Sequence, residues 1–384
     1  FSQAFMPNLV KVSQKGLFCA EILIKLSLAM LGLSLIVMLF APLVTKALAF
    51  GFSPETIALA VPLVRINFWY LLAIFIVTLL SALLQYKNHF ATTAFSTALL
   101  NISMITALLL ALNLDQKSAA MYLSWGVVAG GMLQVLSHII ALKRLNLLRL
   151  LNLGIVKFAK GKRAKAKGFW QNFGHGIIGS SANQLSDFIS TFIASFLATG
   201  AISYLYYANR IFQLPLALFA IALSTAIFPK IAKEIKSKND TNAINLLKKS
   251  FSLLFFLLIF STIGGFVLAN EIIWLLFQRG EFNTNNTIES AKVLQMYMLG
   301  LLPFGLYKLF SLWLYAKMQQ KIAAKIAIYS LFINTALCLL LFKPLGASGL
   351  ALAGSISGLF LLGYAIFVFG IRQFLDIIFN RINL

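Results

Sequence analysis

Long apolar stretches separated by short polar breaks run through the whole 384-residue chain. Each is about 18 residues or longer, which is enough for a helix to cross the roughly 30 Å hydrocarbon core of a bilayer. The runs lack the alternation of barrel strands, and a helix satisfies its own backbone polar groups, so helices are predicted. Ten spans are predicted, at 18–45, 56–86, 88–112, 119–142, 169–197, 201–229, 244–269, 287–316, 319–342 and 346–371. The first few residues end an eleventh span.

Composition and charge agree with a membrane protein and predict its orientation. Hydrophobic residues make up 60% of the chain and charged residues 11%, which excludes an ordinary soluble domain. Lysine and arginine outnumber acids by 32 to 10, and 24 of these cations fall on alternate connections. The positive-inside rule then places the start and the C-terminus of the chain in the cytoplasm. This topology accounts for the excess of cations, so no nucleic-acid partner is expected.

The basic segment 143–168 separates an N-terminal lobe, 1–142, from a C-terminal lobe, 169–384, and contains nine cations and no acid. Two interpretations stay open. The segment could lie on the inner leaflet and attract anionic headgroups, because leucines are interleaved with its cations. Alternatively, it is only the strongest topology signal in the chain, and this second interpretation is favoured.

A short motif occurs twice and predicts an internal repeat. Ser-x-Ala-x-x-Pro begins at Ser2 and again at Ser224, each time at the cytoplasmic end of a span. The spacing implies two six-helix halves, with about one and a half helices missing from the start of the first half. Halves with an even number of spans share one orientation, as in transporters that bind substrate at the repeat interface. An alternating-access transporter is therefore predicted.

An integral membrane enzyme is the competing class, and it would need a polar constellation at one face. The histidines, His89, His138 and His175, fall on different helices without acidic partners, and Cys19 and Cys338 lie in separate apolar segments. These residues are expected to be satisfied or to pack in the core. No enzyme activity, metal or cofactor is predicted.

Ionisable residues inside spans usually mark function, because burying them in the bilayer is costly. Four residues qualify: Arg65, Asp187, Arg210 and Lys308. Three cations against one acid favour an anionic substrate, and the planar fork of arginine suits phosphate oxygens. A cation or drug antiporter would instead need carboxylates in its cavity, and Asp187 is the one candidate among these four.

The segment Ser203–Ala232 contains Tyr-Tyr-Ala-Asn-Arg-x-x-Gln-Leu-Pro-Leu from Tyr206, followed by Phe228-Pro229. Together with Val64-Arg65-Ile66 and Gln278-Arg279-Gly280-Glu281-Phe282, it resembles the MurJ (MviN) lipid II flippases. The resemblance implies the multidrug/oligosaccharidyl-lipid/polysaccharide exporter fold, an all-α polytopic membrane protein with two pseudo-symmetric six-helix lobes around a central cavity. It also implies a monomer in the bacterial inner membrane that moves lipid II to the outer leaflet. A flippase for another polyprenyl-linked glycan stays the first alternative, and a cation or drug antiporter of the same fold is the second.

The resemblance places Arg210 in a cluster of cavity arginines that holds the diphosphate of the substrate. The expected binding set adds four neighbouring or intramembrane residues: Arg65, Lys308, Asn209 and Gln213. Asn209 departs from the family, which usually has aspartate there, so the site carries less balancing charge.

A sodium site found in some family members is altered in this sequence. Its acidic positions are occupied by Ser190 and Cys338, which leaves Asn334 and the displaced Asp187 as a candidate cation or structural polar site. Sodium coupling is therefore not expected. The family also typically adds two C-terminal helices, for which the chain to Leu384 has no apolar length.

Overall fold

A computed structural model describes residues 5, 8–9, 12–164, 167–237, 239–317 and 319–379, without the side chains of residues 167, 172, 175–183, 229, 232, 236 and 320. These residues are helical apart from short turns, and no strand occurs among them. The chain divides into two compact units, Phe1–Ser180 and Ser181–Leu384. The predicted lobe boundaries at 142 and 169 stay a prediction.

From residue 12 onward, the described part of the first unit contains six helices and the start of a seventh. These are α1 (Lys15–Leu39), α2 (Ala41–Leu48), α3 (Pro54–Tyr86), α4 (Ala91–Leu110), α5 (Gln116–Arg144), α6 (Leu147–Ala159) and α7 (Lys167–Ala194). Polar residues cap the N-termini of two of these helices. The Ser53 hydroxyl accepts the Thr56 amide at 3.2 Å ahead of α3, and the Asp115 carboxylate caps α5 in the same way.

Glycines bring α5 close to its neighbours. A Cβ on Gly126 would meet the Ala107 side chain of α4, and one on Gly131 would meet Tyr70 of α3. The absence of side chains at these positions permits close helix contact, which is how membrane helices gain packing energy.

Within its described residues, the second unit contains the end of α7, seven further helices and a π-helical turn. They are α8 (Ala201–Pro215), the π turn Leu216–Ile221, α9 (Ala222–Lys236), α10 (Asp240–Val267), α11 (Ala269–Phe277), α12 (Thr284–Ala316), α13 (Gln320–Phe369) and α14 (Ile371–Phe379). Pro215 lacks the amide hydrogen that a regular helix needs, and the π turn follows it directly. The hydropathy pattern, which predicts one span at 201–229, did not reveal this change of helix type.

The 50-residue α13 is a helical hairpin. Gly346 has the non-helical angles φ 59° and ψ −136°, and the Ser330 hydroxyl donates to the Ser357 carbonyl at 3.3 Å. These two serines would be about 40 Å apart along one straight helix, so the arms run side by side. The arms match the separate spans predicted at 319–342 and 346–371. A Cβ on Gly358 would meet the Phe304 ring of α12, whereas one on Gly354 would meet nothing within 4 Å.

Large apolar side chains are exposed along the helices of both units, among them Leu110, Phe260 and Phe332. In water such a surface would aggregate, whereas in a bilayer it faces lipid. Eight of the described helical stretches are long and apolar enough to cross a membrane, and α7 coincides with the span predicted at 169–197. A polytopic helical membrane protein is confirmed.

Two predicted features fall partly outside the described residues. The opening copy of the repeat motif lies at residues 1–7, of which only Phe5 is described, and the side chain of His175 is not described. The other two histidines have partners: His138 is buried and bonds the Ser81 hydroxyl at 2.8 Å, and His89 bonds Thr92 at 2.8 Å. Cys19 and Cys338 are both buried, as expected of core residues.

Candidate functional site

Helix α8 has one packing face and one polar face. Leu205, Ala208 and Phe212 are buried in the core of the second unit. The other face carries Tyr206, Asn209, Arg210 and Gln213. At 100° per residue these four fall within an arc of about 100°, and of them Tyr206, Arg210 and Gln213 are exposed. A polar stripe therefore runs along a helix whose buried residues are apolar.

Two pairs of side chains, each four residues apart, order this stripe. The Arg210 guanidinium lies 4.7 Å from the Tyr206 ring centroid, and its Nη2 donates to the Tyr206 hydroxyl at 3.2 Å. Gln213 Nε2 donates to Asn209 Oδ1 at 3.2 Å. Both pairings are with neutral groups, and no acid pairs with Arg210 within the described residues. The positive charge of Arg210 is oriented and left available for an anion.

An apolar groove begins beside Arg210. It is a cavity of about 410 Å³ whose walls come from α8, α10, α11 and α12. Leu214, Leu276 and Met298 are among the apolar lining residues, and Arg210 and Ser261 are its polar members within the described part of the chain. Arg210 thus stands at the border between the polar stripe and the groove. This arrangement suits a ligand with an anionic group joined to an apolar chain.

The segment Gln278–Phe282 has the geometry of a turn. Arg279 Nη2 donates to the Leu276 carbonyl at 2.7 Å at the end of α11, and Gly280 has a φ of 57°. The Phe282 ring lies 5.3 Å from the ring of Tyr207 on α8. The turn therefore helps to hold α11 and α8 together beside the groove.

The other two predicted cations are also exposed but belong to different helices. Arg65 lies in α3 of the first unit, about 17 Å along the helix from Pro54. Lys308 lies in α12 of the second unit, about 12 Å from the end of that helix at Ala316. Neither side chain has a hydrogen bond or ion pair with another described residue. Their membership of one binding set with Arg210 stays a prediction.

Asn334 belongs to a polar cluster that joins α7 to the first arm of α13. It is 3% exposed, and its Nδ2 donates to the Ser186 hydroxyl at 2.7 Å. The Cys338 thiol lies 3.8 Å from Asn334 Oδ1 and 3.8 Å from the Ser190 hydroxyl. Asp187 is exposed, and its carboxylate has no hydrogen bond or ion pair within the described residues. The two residues predicted as one polar site are thus in different surroundings.

This cluster is poorly suited to a metal ion. It consists of an amide, two hydroxyls and a thiol, whereas hard cations prefer several carboxylate or carbonyl oxygens. Across the described residues, no group of three or more histidines, cysteines and acids is placed to hold a metal. The arrangement fits a structural link between two helices, whose polar groups must be satisfied inside the bilayer.

Tyr206 and Ser186 were missing from the predicted site. Tyr206 could have been found from its spacing, because residues four apart on a helix are neighbours and Arg210 follows at that distance. Ser186 offers no such signal, since it meets Asn334 only through the tertiary packing of α7 on α13.

Comparison with known proteins decides the family. A family model described as lipid II flippase MurJ matches residues 1–382. The chain belongs to the MurJ family. A probable lipid II flippase MurJ of Helicobacter pylori is 47% identical over 391 residues, covering 99% of this chain and 85% of that protein. A solved structure of a lipid II flippase MurJ in an inward closed conformation aligns with a TM-score of 0.79 and 26% identity, covering 98% of this chain and 78% of the other.

The MurJ family shares its fold with a wider group of transporters. An inward-facing multidrug resistance MATE transporter aligns with a TM-score of 0.72 at 14% identity, covering 98% of this chain and 84% of the other. At that identity only the fold is shared. The membership predicted from the Tyr-Tyr-Ala-Asn-Arg segment of α8 is confirmed, together with the transporter fold.

Proposed function

We propose that this chain is a lipid II flippase of the bacterial inner membrane, which moves undecaprenyl-pyrophosphate-linked peptidoglycan precursor from the inner to the outer leaflet by alternating access. The observation that carries the proposal is the position of Arg210 between a polar stripe and an apolar groove. Lipid II has the matching chemistry, a diphosphate between a long prenyl chain and a polar headgroup. Similarity to a probable lipid II flippase MurJ over 99% of this chain supports the same substrate.

The cost of placing arginine in a membrane supports a cavity role for the polar stripe. Arg210 lies about 14 Å along α8 from Ala201, and an arginine at the centre of a span costs about 2.5–3.5 kcal/mol on insertion scales. That cost falls when the side chain faces water or binds an anion. A diphosphate can accept two hydrogen bonds from one guanidinium, and the Tyr206 ring restricts the orientations of that guanidinium.

Supporting roles follow for the remaining predicted residues. Arg65 and Lys308 add positive charge to the substrate path, and neutral Asn209 positions Gln213 without cancelling the charge of Arg210. Asn334 links two helices, and Asp187 is the acidic member of the candidate cation or structural polar site, at which no sodium coupling is expected. The protein acts as a monomer, with both ends of this chain in the cytoplasm, and performs no covalent chemistry.

Depletion of the protein in its own cells, with quantification of polyprenyl-linked precursors, tests the proposal. Lipid II should accumulate, and wild type should clear it, whereas Arg210→Ala should not; Arg210→Lys should restore part of the activity. Accumulation of a different glycan-lipid would favour the alternative substrate. If no precursor accumulated, the flippase proposal would be wrong and an antiporter would become the better candidate.

A further inference from the structure

Helix α6, in the basic segment of the chain, is fixed on α1 by one face. Leu147 and Leu151 are 4% and 5% exposed, and with Gly154 they form a buried stripe. A Cβ on Gly154 would collide with the backbone of Gly16 near the start of α1. The two backbones are therefore in direct contact. This contact fixes the rotation of α6 about its own axis and so determines which face points away from the unit.

The face that points away mixes apolar and basic side chains. Leu153 and Val156 are 55% and 51% exposed, and the exposed Arg149 lies between them around the helix, within an arc of about 60°. Lys157 and Lys160 extend the same side and are also exposed. If this face contacted only water, its exposed leucine and valine would bury no apolar surface. The mixture is typical of helices that lie in a membrane interface.

The neighbouring helices place α6 at the level of the lipid headgroups. Gly16 is the second residue of the spanning α1, and Arg144 is the last residue of the spanning α5, two residues before α6. The segment therefore runs along the surface where both spans leave the hydrocarbon. Its end is held as well, because the Ala164 amide donates to Glu21 at 2.7 Å.

A groove on this surface gathers cations and amides. Asn146, with a φ of 56°, turns the chain between α5 and α6. That turn brings Lys143 and Arg149 to one cavity of about 370 Å³, which is also lined by Asn146, Asn152, Leu153 and Val156. Within the described residues, neither Lys143 nor Arg149 has a side-chain partner. Residues 142–168 contain no acid, and Glu21, the acid that contacts the segment, is already paired with Lys25 at 2.5 Å.

We propose that this groove binds the headgroup phosphate of an anionic phospholipid of the inner leaflet, with Leu153 and Val156 against its acyl chains. Lys143 and Arg149 supply the charge, and the two asparagines supply neutral donors. A free phosphate ion would use the cations but would leave the exposed apolar residues uncovered. The site is distinct from Arg210 and its groove, and it goes beyond the flippase function, because it assigns a second lipid that is bound and not transported.

Lipid retention by the purified full chain in detergent tests this proposal. Wild type and variants are mixed with phosphatidylglycerol or phosphatidylcholine, and the bound lipids are counted by native mass spectrometry. Each cation near an anionic surface contributes about a fivefold change in affinity, so Lys143→Gln with Arg149→Gln should weaken phosphatidylglycerol binding by about 25-fold. Phosphatidylcholine binding should hardly change. The matched control is Lys117→Gln with Lys343→Gln, which removes the same charge from exposed positions outside the segment.

Further variants keep the result interpretable. Lys143→Arg with Arg149→Lys should retain binding, and the single Arg149→Gln should lose about fivefold if the double variant does not fold. Leu153→Asn with Val156→Asn should weaken lipid binding while leaving any binding of inorganic phosphate unchanged. Equal losses in the groove variant and the control would overturn the proposal, as would competition by inorganic phosphate at the same concentration as the lipid.

Discussion

The contact between α6 and α1 leads to a quantitative prediction for Gly154→Ala. The added methyl group would meet Gly16 carbonyl atoms and the Leu17 amide nitrogen, 2.9 Å away, all of them backbone. Overpacking of this kind costs about 1–3 kcal/mol, and the higher helix propensity of alanine returns about 0.5–1 kcal/mol. The net expectation is that docking of α6 weakens by about 1–2 kcal/mol.

Cysteine labelling reports this docking locally. Leu151 is buried in the contact, and both native cysteines are buried, so Leu151→Cys provides a specific probe. Because 1.4 kcal/mol corresponds to a factor of ten, a water-soluble maleimide should label Leu151→Cys about tenfold faster when Gly154→Ala is also present. The protein is otherwise expected to keep its fold, since α1 and α5 cross the membrane independently of α6.

Gly354→Ala is the matched control, because Gly354 is helical and a Cβ there has nothing within 4 Å. This variant should be unchanged or slightly stabilised, with no effect on labelling at position 151. The reasoning would be refuted if Gly154→Ala left labelling unchanged, since a backbone contact that tolerates a methyl group would not fix the rotation of α6.

Three further predictions concern single positions. Gly346→Ala should lower the free energy of unfolding of the purified protein by about 1–3 kcal/mol, because alanine is strained at the φ and ψ of the turn in the α13 hairpin; unchanged stability in thermal unfolding would contradict this backbone conformation. Asn334→Leu should cost about 0.6–1.7 kcal/mol through its lost bond to Ser186, the range for membrane interhelical hydrogen bonds; a double-mutant cycle with Ser186→Ala should give a matching coupling energy, and zero coupling would refute the link. Hydrogen bonds from Ser118 lower the pKa of Asp115 below its ordinary value of 3.8, so the charged cap stabilises α5 at pH values above 3.8, and this stabilisation is lost as the pH falls through the lowered pKa; Asp115→Ala should therefore reduce stability at neutral pH, and the difference from wild type should shrink once the pH falls below 3.8.

Much of the fold follows from the sequence because the bilayer sets a minimum apolar length for every span. The polar breaks around Ser53 and Asp115 predict where α3 and α5 begin, and both residues cap those helices. The break at Lys343-Pro344 predicts the α13 hairpin, even though helical hydrogen bonding is nearly continuous there. By contrast, the π turn after Pro215 depends on how backbone hydrogen bonds are redistributed locally, which hydropathy does not record.

The candidate site was less accessible to sequence reasoning. Arg210 stands out because an intramembrane arginine is costly, and the Tyr-Tyr-Ala-Asn-Arg motif marks it again. The apolar groove combines residues from four helices that are distant in sequence, such as Leu214 and Met298, and no local pattern predicts that they meet. The docking of α6 on α1 similarly depends on a close approach of Gly16 and Gly154, which are far apart in the sequence. Long-range close approach is decided by packing, not by periodicity.

The central claim is that Arg210 holds the diphosphate of lipid II during transport, and flipping in reconstituted liposomes tests it most directly. Labelled lipid II is placed in one leaflet, and its appearance in the other is followed for wild type, Arg210→Ala, Arg210→Lys and the control Lys117→Gln. A charge-assisted hydrogen bond contributes about 1.5–3 kcal/mol, so Arg210→Ala should slow flipping roughly 10- to 100-fold, Arg210→Lys should be intermediate, and the control should match wild type. Flipping by Arg210→Ala at the wild-type rate would contradict the account.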